Sequence, residues 1–203
     1  HTLTLSGTSV ATTFLNGRIT GTGGITIAMG TAADEVRLTS YMNTYTGNTT
    51  INQGTVNLRS QANSYIGDPT TVGYYGINGP LIIGDGIGSA GTAIFNYGGA
   101  ANDRRDQINY TTDVTIRSDG IWNLTNVQNI NSVTMTGGTI ALGASLGSLY
   151  LNGNITTHAS ATEALVSGSG TSTLSLTPSQ GGAVNIPNAT RTFTVADGGA
   201  ASD

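Results

Sequence analysis

The chain has 203 residues with 30 Gly, no Cys and only 9% charged side chains, a net charge of −4 at pH 7. The absence of Lys and the scatter of seven Arg exclude the clustered cations that a nucleic acid or an anionic membrane surface requires. Without Cys there is neither a disulfide framework nor a Cys metal site, and no apolar run approaches the ~20 residues of a membrane helix.

Low net charge combined with regularly recurring Ile, Val, Leu and Thr describes an ordered all-β protein with an uncharged polar surface. In chain order, apolar residues two apart mark strands at Leu3/Leu5, Ile25/Ile27, Val36/Leu38, Val56/Leu58, Leu81/Ile83, Val114/Ile116 and Val133/Met135. They continue at Ile140/Leu142, Leu149/Leu151, Leu174/Leu176, Val184/Ile186 and Phe193/Val195. Period two puts both partners on one face. Gly, Asn, Asp and Ser clusters separate the pairs, and no window carries a 3.6-residue stripe, so almost no helix is expected.

Two architectures produce many short strands, an antiparallel sandwich and a parallel β-helix. The strands here offer only two inward positions each. Their spacing wanders between about 7 and 15 residues, and the outward positions are mostly Thr, Asn and Ser, which stack in ladders between parallel strands. These features favour a solenoid of about seven to nine coils, a single domain over 1–203 and a rod of ~35–45 Å at one strand spacing per coil. Ile51, Val56, Leu58, Val114, Ile116, Val133, Ile140, Leu149, Leu151, Leu174 and Ile186 are expected to point inward. The stretches Ile66–Asn78 and Gly98–Gln107 read as loops.

The most informative stretch is Asn43–Leu58, where Thr49–Ile51 and Thr55–Leu58 read as strands and Gly47-Asn48 and Gln53-Gly54 as turns that tolerate a positive φ. Together with Ile19–Ile27 and Val36–Thr39 it resembles the autotransporter-associated β-strand repeat of bacterial secreted and surface proteins. Tyr45, Gly47, Thr49, Thr50, Ile51, Gly54, Thr55 and Val56 carry the likeness. The resemblance covers roughly Ile19–Leu58, and the remainder only in style. It implies a right-handed parallel β-helix and a mechanical role outside the cell: a stalk, fibre or adhesin-like segment. Its partners would be adjacent β-helical sequence or further copies stacked end to end, with no cofactor and no membrane insertion by this segment. The start at His1 fits either removal of an export signal or a piece of a longer chain.

Two other functions are open. Polysaccharide lyases and hydrolases also use β-helices, and Asp103, Arg104, Arg105, Asp106 and Asp113 are the residues closest to such a site. The Asp-Asp, Gly-His-Gly and Arg-Ile-Lys signatures of polygalacturonases are absent, and the charge cluster reads more simply as a solvated loop. A glycan-binding module would stack sugars on aromatics, and Trp122, Tyr74, Tyr75 and Tyr97 are the candidates, with Trp122 expected to point outward. His1 and His158 are too few and too distant for a metal site, and Gly84–Gly88 is a single Gly-Asp motif where calcium repeats need several.

Overall fold

In a computed structural model, the described residues are 1–8, 12–40, 42–59, 75–97, 106–144, 147–176 and 192–195. They contain strands and turns and no helix. Strands β1 (Leu3–Gly7), β2 (Thr13–Leu15), β3 (Ile25–Met29), β4 (Glu35–Leu38) and β5 (Thr49–Leu58) are followed by β6 (Leu81–Ile83), β7 (Ala93–Tyr97) and β8 (Val114–Leu124). Then come β9 (Val127–Ile130), β10 (Val133–Leu142), β11 (Ser148–Leu151), β12 (Ile155–Thr157), β13 (Ala164–Gly168), β14 (Thr173–Ser175) and β15 (Phe193–Thr194).

Every named strand pairing is parallel. A twelve-stranded sheet runs β1-β3-β5-β6-β8-β10-β12-β15, and a three-stranded sheet runs β14-β11-β9. The large sheet has a second limb, because β2, β4, β7 and β13 pair with one another or with the distal halves of β5, β8 and β10. Each tier therefore contributes a proximal and a distal segment. In β5, β8 and β10 the two are halves of one bent strand, and elsewhere a loop joins them. Paired segments lie side by side only after a circuit of 18 residues (Ile121 to Thr139) to 39 residues (Gly54 to Ala93).

The bends shift the side-chain phase. In β5 both Asn52 and Gln53 face outward, so inward positions change from Thr49 and Ile51 to Gly54, Val56 and Leu58. The expected Gln53-Gly54 turn is thus a bulge inside a continuous strand, where the β3–β5 register slips. Gly54 adopts φ 105°, a conformation that disfavours a side chain.

The inward residues form one apolar core from Ile25 to Ile155. Ile27, Ile51, Ile83, Ile116 and Met135 stack in one column. Val36, Val56, Phe95, Trp122 and Ile140 stack in another. The expected core residues Ile51, Val56, Leu58, Val114, Ile116, Val133, Ile140, Leu149 and Leu151 are buried. Leu174 is not: it is 36% exposed on β14, an edge strand paired only with β11 among the described residues. Ile186 lies outside the described residues. Ile77, expected in a loop, is fully buried and bridges in parallel to Ile108.

Buried polar side chains complete the ladder where strands are irregular. Gln128 donates from Nε2 to the Ile108 carbonyl (2.8 Å) and accepts the Ile108 N–H on Oε1 (3.1 Å), so its amide replaces a missing strand neighbour. Asn43 accepts the Ile19 N–H (2.9 Å) and donates to the Gly76 carbonyl (2.8 Å), spanning three tiers. The buried Tyr97 hydroxyl accepts the Gln107 N–H and donates to the Val127 carbonyl, both at 3.1 Å. Left unpaired, each buried backbone group would cost about 1–3 kcal/mol.

Candidate functional site

The repeat residues lie where three tiers meet. Tyr45 is buried, and its hydroxyl pairs with Thr49 Oγ1 at 2.5 Å inside the core. Burial pushes the Tyr45 phenol up to about 12, with the Thr49 hydrogen bond pulling weakly the other way. Ile51 and Val56 fill the core, while Thr50 and Thr55 face outward, Thr55 donating to the Ala32 carbonyl at 2.7 Å. Gly47 has no left-handed φ; a Cβ there would sit 2.5 Å from the Gly23 and Gly24 backbone, so close chain approach explains it. Apart from the outward Thr50 side chain, these residues are placed by the packing and hydrogen bonding of the tier stack.

The two charged candidates among the described residues, Asp106 and Asp113, are hydrogen-bonded locally. Asp103, Arg104 and Arg105 lie outside the described residues. Asp106, at φ 52°, accepts the Asn129 backbone N–H at 2.7 Å and its side-chain amide at 2.8 Å on one oxygen. Asp113 accepts from Asn131 Nδ2 (2.7 Å) and from the Ser132 hydroxyl. Sequence reasoning missed Asp119, which is fully buried at the bend of β8. Its carboxylate accepts the Gly86 N–H (2.7 Å) and the Asp85 N–H (3.3 Å), anchoring the Gly84–Thr92 loop. Among the described residues no three His, Cys, Asp or Glu side chains are grouped to hold a metal ion.

Among the described residues the aromatic candidates form no platform. Trp122 and Tyr97 are fully buried, contrary to the outward placement expected of Trp122. Phe95 and Tyr97 pair in register with Trp122 and Leu124, so both aromatics sit in inward columns, and the Trp122 ring lies 6.3 Å from that of Phe95. The Trp122 indole Nε1 is buried without a hydrogen-bond partner. Tyr74 lies outside the described residues. Tyr75 is half-buried; burial, then the nearby Tyr110 and Asp106, push its phenol up to about 12.

Outside the core, register builds two kinds of column. On the distal limb, Asn123 donates to Asn96 and Asn96 to Asn57, each at 2.8 Å, and Asn57 continues to Glu35 at 2.5 Å. The Arg37 guanidinium, paired to Glu35 and stacked 5.3 Å from the Phe14 ring centre, holds the Glu35 carboxyl below its ordinary range against a smaller desolvation effect.

The proximal limb carries a different column: Thr4, Thr26, Thr50, Ile82, Thr115, Thr134, Thr156 and Thr194 pair in unbroken sequence. Both register slips fall beyond it, at Ile27/Ala28 and Gly137/Thr139. The side chains of Thr26, Thr50, Thr115, Thr134 and Thr156 are partly exposed, and their hydroxyls make no hydrogen bond to the described chain. An open cleft of about 360 Å³ runs beside the column's start, lined in part by Thr2, Thr26, Asn48 and Thr50. The sequence signal was an apolar-Thr-apolar triplet, as in Leu3-Thr4-Leu5, Ile25-Thr26-Ile27, Val114-Thr115-Ile116 and Val133-Thr134-Met135. Outward Thr, Asn and Ser are expected to stack in ladders, but alternation alone does not show which of them share this column.

No protein family, curated protein or solved structure matches the chain.

Proposed function

We propose that the tiers wind as a right-handed parallel β-helix. The chain would then be a structural stalk or fibre-forming segment of a bacterial extracellular or cell-surface protein, adhesin-like in role. The carrying observation is the in-register parallel pairing of segments one circuit apart around a continuous apolar core. Short circuits returning to the same sheet favour a coil, and crossover chirality favours the right hand. The resemblance of Ile19–Leu58 to the autotransporter-associated repeat supports the extracellular setting. Among the described residues, the carboxylates of Asp106, Asp113 and Asp119 are engaged in holding tiers and loops together.

The partner in this reading is more β-helix, supplied by adjoining sequence or by another copy. Leu3 (43% exposed) stands open on the first tier and Phe193 (51%) on the last described one, each in register with an inward core residue. A further tier against either would bury these side chains and continue the backbone ladder. Electron microscopy of the purified chain over a concentration series tests this. Rods that lengthen with concentration, unaffected by moderate salt and inactive on pectin, glucan and peptide substrates, are expected. Globular particles of constant size would refute the fibre reading. Turnover abolished by Asp106→Ala or Asp113→Ala would replace it with an enzyme.

A further inference from the structure

We propose that the threonine column on the proximal limb is an ice-binding surface. The proposal stands independently of the fibre reading, since it needs only the strand register.

Three features of the column converge. The first is its repeat. Parallel strands are spaced by ~4.7–4.9 Å, so an unslipped column presents one equivalent side chain per strand spacing, close to the repeat of water oxygens along the a axis of hexagonal ice. Seven of its eight positions are Thr, although only about a sixth of the chain is Thr. The eighth, Ile82, keeps the β-branched shape.

The second is chemistry. Threonine combines a methyl group with a hydroxyl that donates once and accepts twice. Branching at Cβ restricts χ1, so neighbouring side chains repeat one geometry. Ordered water can then be caged by the methyls and anchored by the hydroxyls. The third is availability. The Asn57–Asn96–Asn123 column uses its amides on one another and on Glu35, whereas the column's hydroxyls from Thr26 to Thr156 are spent on no partner among the described residues.

The same features disfavour a crystalline polysaccharide as occupant. Sugar faces bind by stacking on aromatics, and the column holds none; Trp122 and Tyr97 are sealed in the core. No charge lies in the column itself, so an ionic ligand has no anchor there.

The test is ice partitioning and thermal hysteresis of the purified 203-residue chain, with an inert globular protein as reference. The wild type should be enriched in slowly grown ice. Thr115→Tyr/Thr134→Tyr, on adjacent tiers, should fall to the reference level, while Thr139→Tyr, outward on the distal limb of β10, should partition like wild type. Melting curves show whether the variants fold; should the double Tyr variant not do so, Thr115→Ser/Thr134→Ser, which removes only two methyls, should still reduce partitioning. Exclusion of the wild type from ice would overturn the proposal, as would equal loss in the Thr139→Tyr control. Retention on crystalline cellulose or chitin without enrichment in ice would assign the column to a polysaccharide and equally overturn it.

Discussion

Gly21 and Gly54 have nearly the same backbone angle, φ 109° and 105°, but opposite surroundings. A Cβ on Gly21 would meet nothing within 4 Å. On Gly54 it would lie 2.8 Å from Met29 Cβ, 3.0 Å from Met29 Cγ and 3.2 Å from the Asp34 carbonyl oxygen. The pair of Ala substitutions therefore separates backbone strain from steric conflict. A side chain at φ near 105–109°, beyond the left-handed α region, costs ~1–3 kcal/mol, partly offset by the ~0.4–1 kcal/mol that Ala gains through a stiffer unfolded chain. Gly21→Ala should thus cost about 1–2 kcal/mol. Gly54→Ala adds an overpacking cost of ~1–3 kcal/mol, because Met29 is itself buried and has little room to move. Gly54→Val, with two more methyls, should be worse again. Urea unfolding monitored by circular dichroism reads the difference as a shift in midpoint at constant slope. Equal midpoints for the two Ala variants would refute the role given to the Met29 contact, and wild-type stability in both would refute the strain argument.

Other perturbations address the core, the outer ladder and the buried phenols. Leu151→Ala empties a fully buried position and should cost ~2–5 kcal/mol in the same assay. Asn96→Ala removes the middle of the amide column and with it two hydrogen bonds, so a loss of ~1–3 kcal/mol is expected, and it should exceed that of Asn123→Ala, which loses only one. Tyr45 and Tyr75 should ionise near pH 12 in the folded protein, later than the ordinary value of 10, as read by tyrosinate absorbance. The unfolded chain releases these protons first, so the stability they confer is complete below pH 10 and is lost as pH rises from about 10 to 12; Tyr45→Phe should lessen that loss.

Period-two patterning made most inward positions legible, because Ile25/Ile27 or Leu81/Ile83 needs only local alternation to find its face. It failed where alternation breaks. β8 carries one more residue than β10 across the bend, so Gly137 pairs with Ser118 but Thr139 with Ile121. Trp122 is inward by its register with Phe95 and Ile140, a relation among residues 18 to 27 positions away that the local Ile-Trp-Asn pattern does not reveal. Leu174 shows the converse: its alternation is correct, but at the margin of a sheet there is no following strand among the described residues to cover it. Outward threonine ladders were legible, but which threonines share a column was not, for a related reason. Each apolar-Thr-apolar triplet is ordinary by itself, and only pairing across circuits of unequal length reveals that the threonines align.

That inequality of circuit length has a consequence for what can be built on this chain. The stack keeps its register whether a circuit takes 18 residues or 39. Excess length leaves as excursions such as Gly84–Thr92, whose root is clamped by Asp119, while side chains such as Gln128 supply the backbone bonds that an irregular corner would forfeit. Because closure entropy grows only by ~0.6 kcal/mol for each doubling of a flexible loop, foreign segments inserted near Ile87, which is 74% exposed, would ride outside the stack at little thermodynamic cost. A chain of this design separates rigidity from cargo: the ladder sets where a loop stands, and leaves its length and content open to variation.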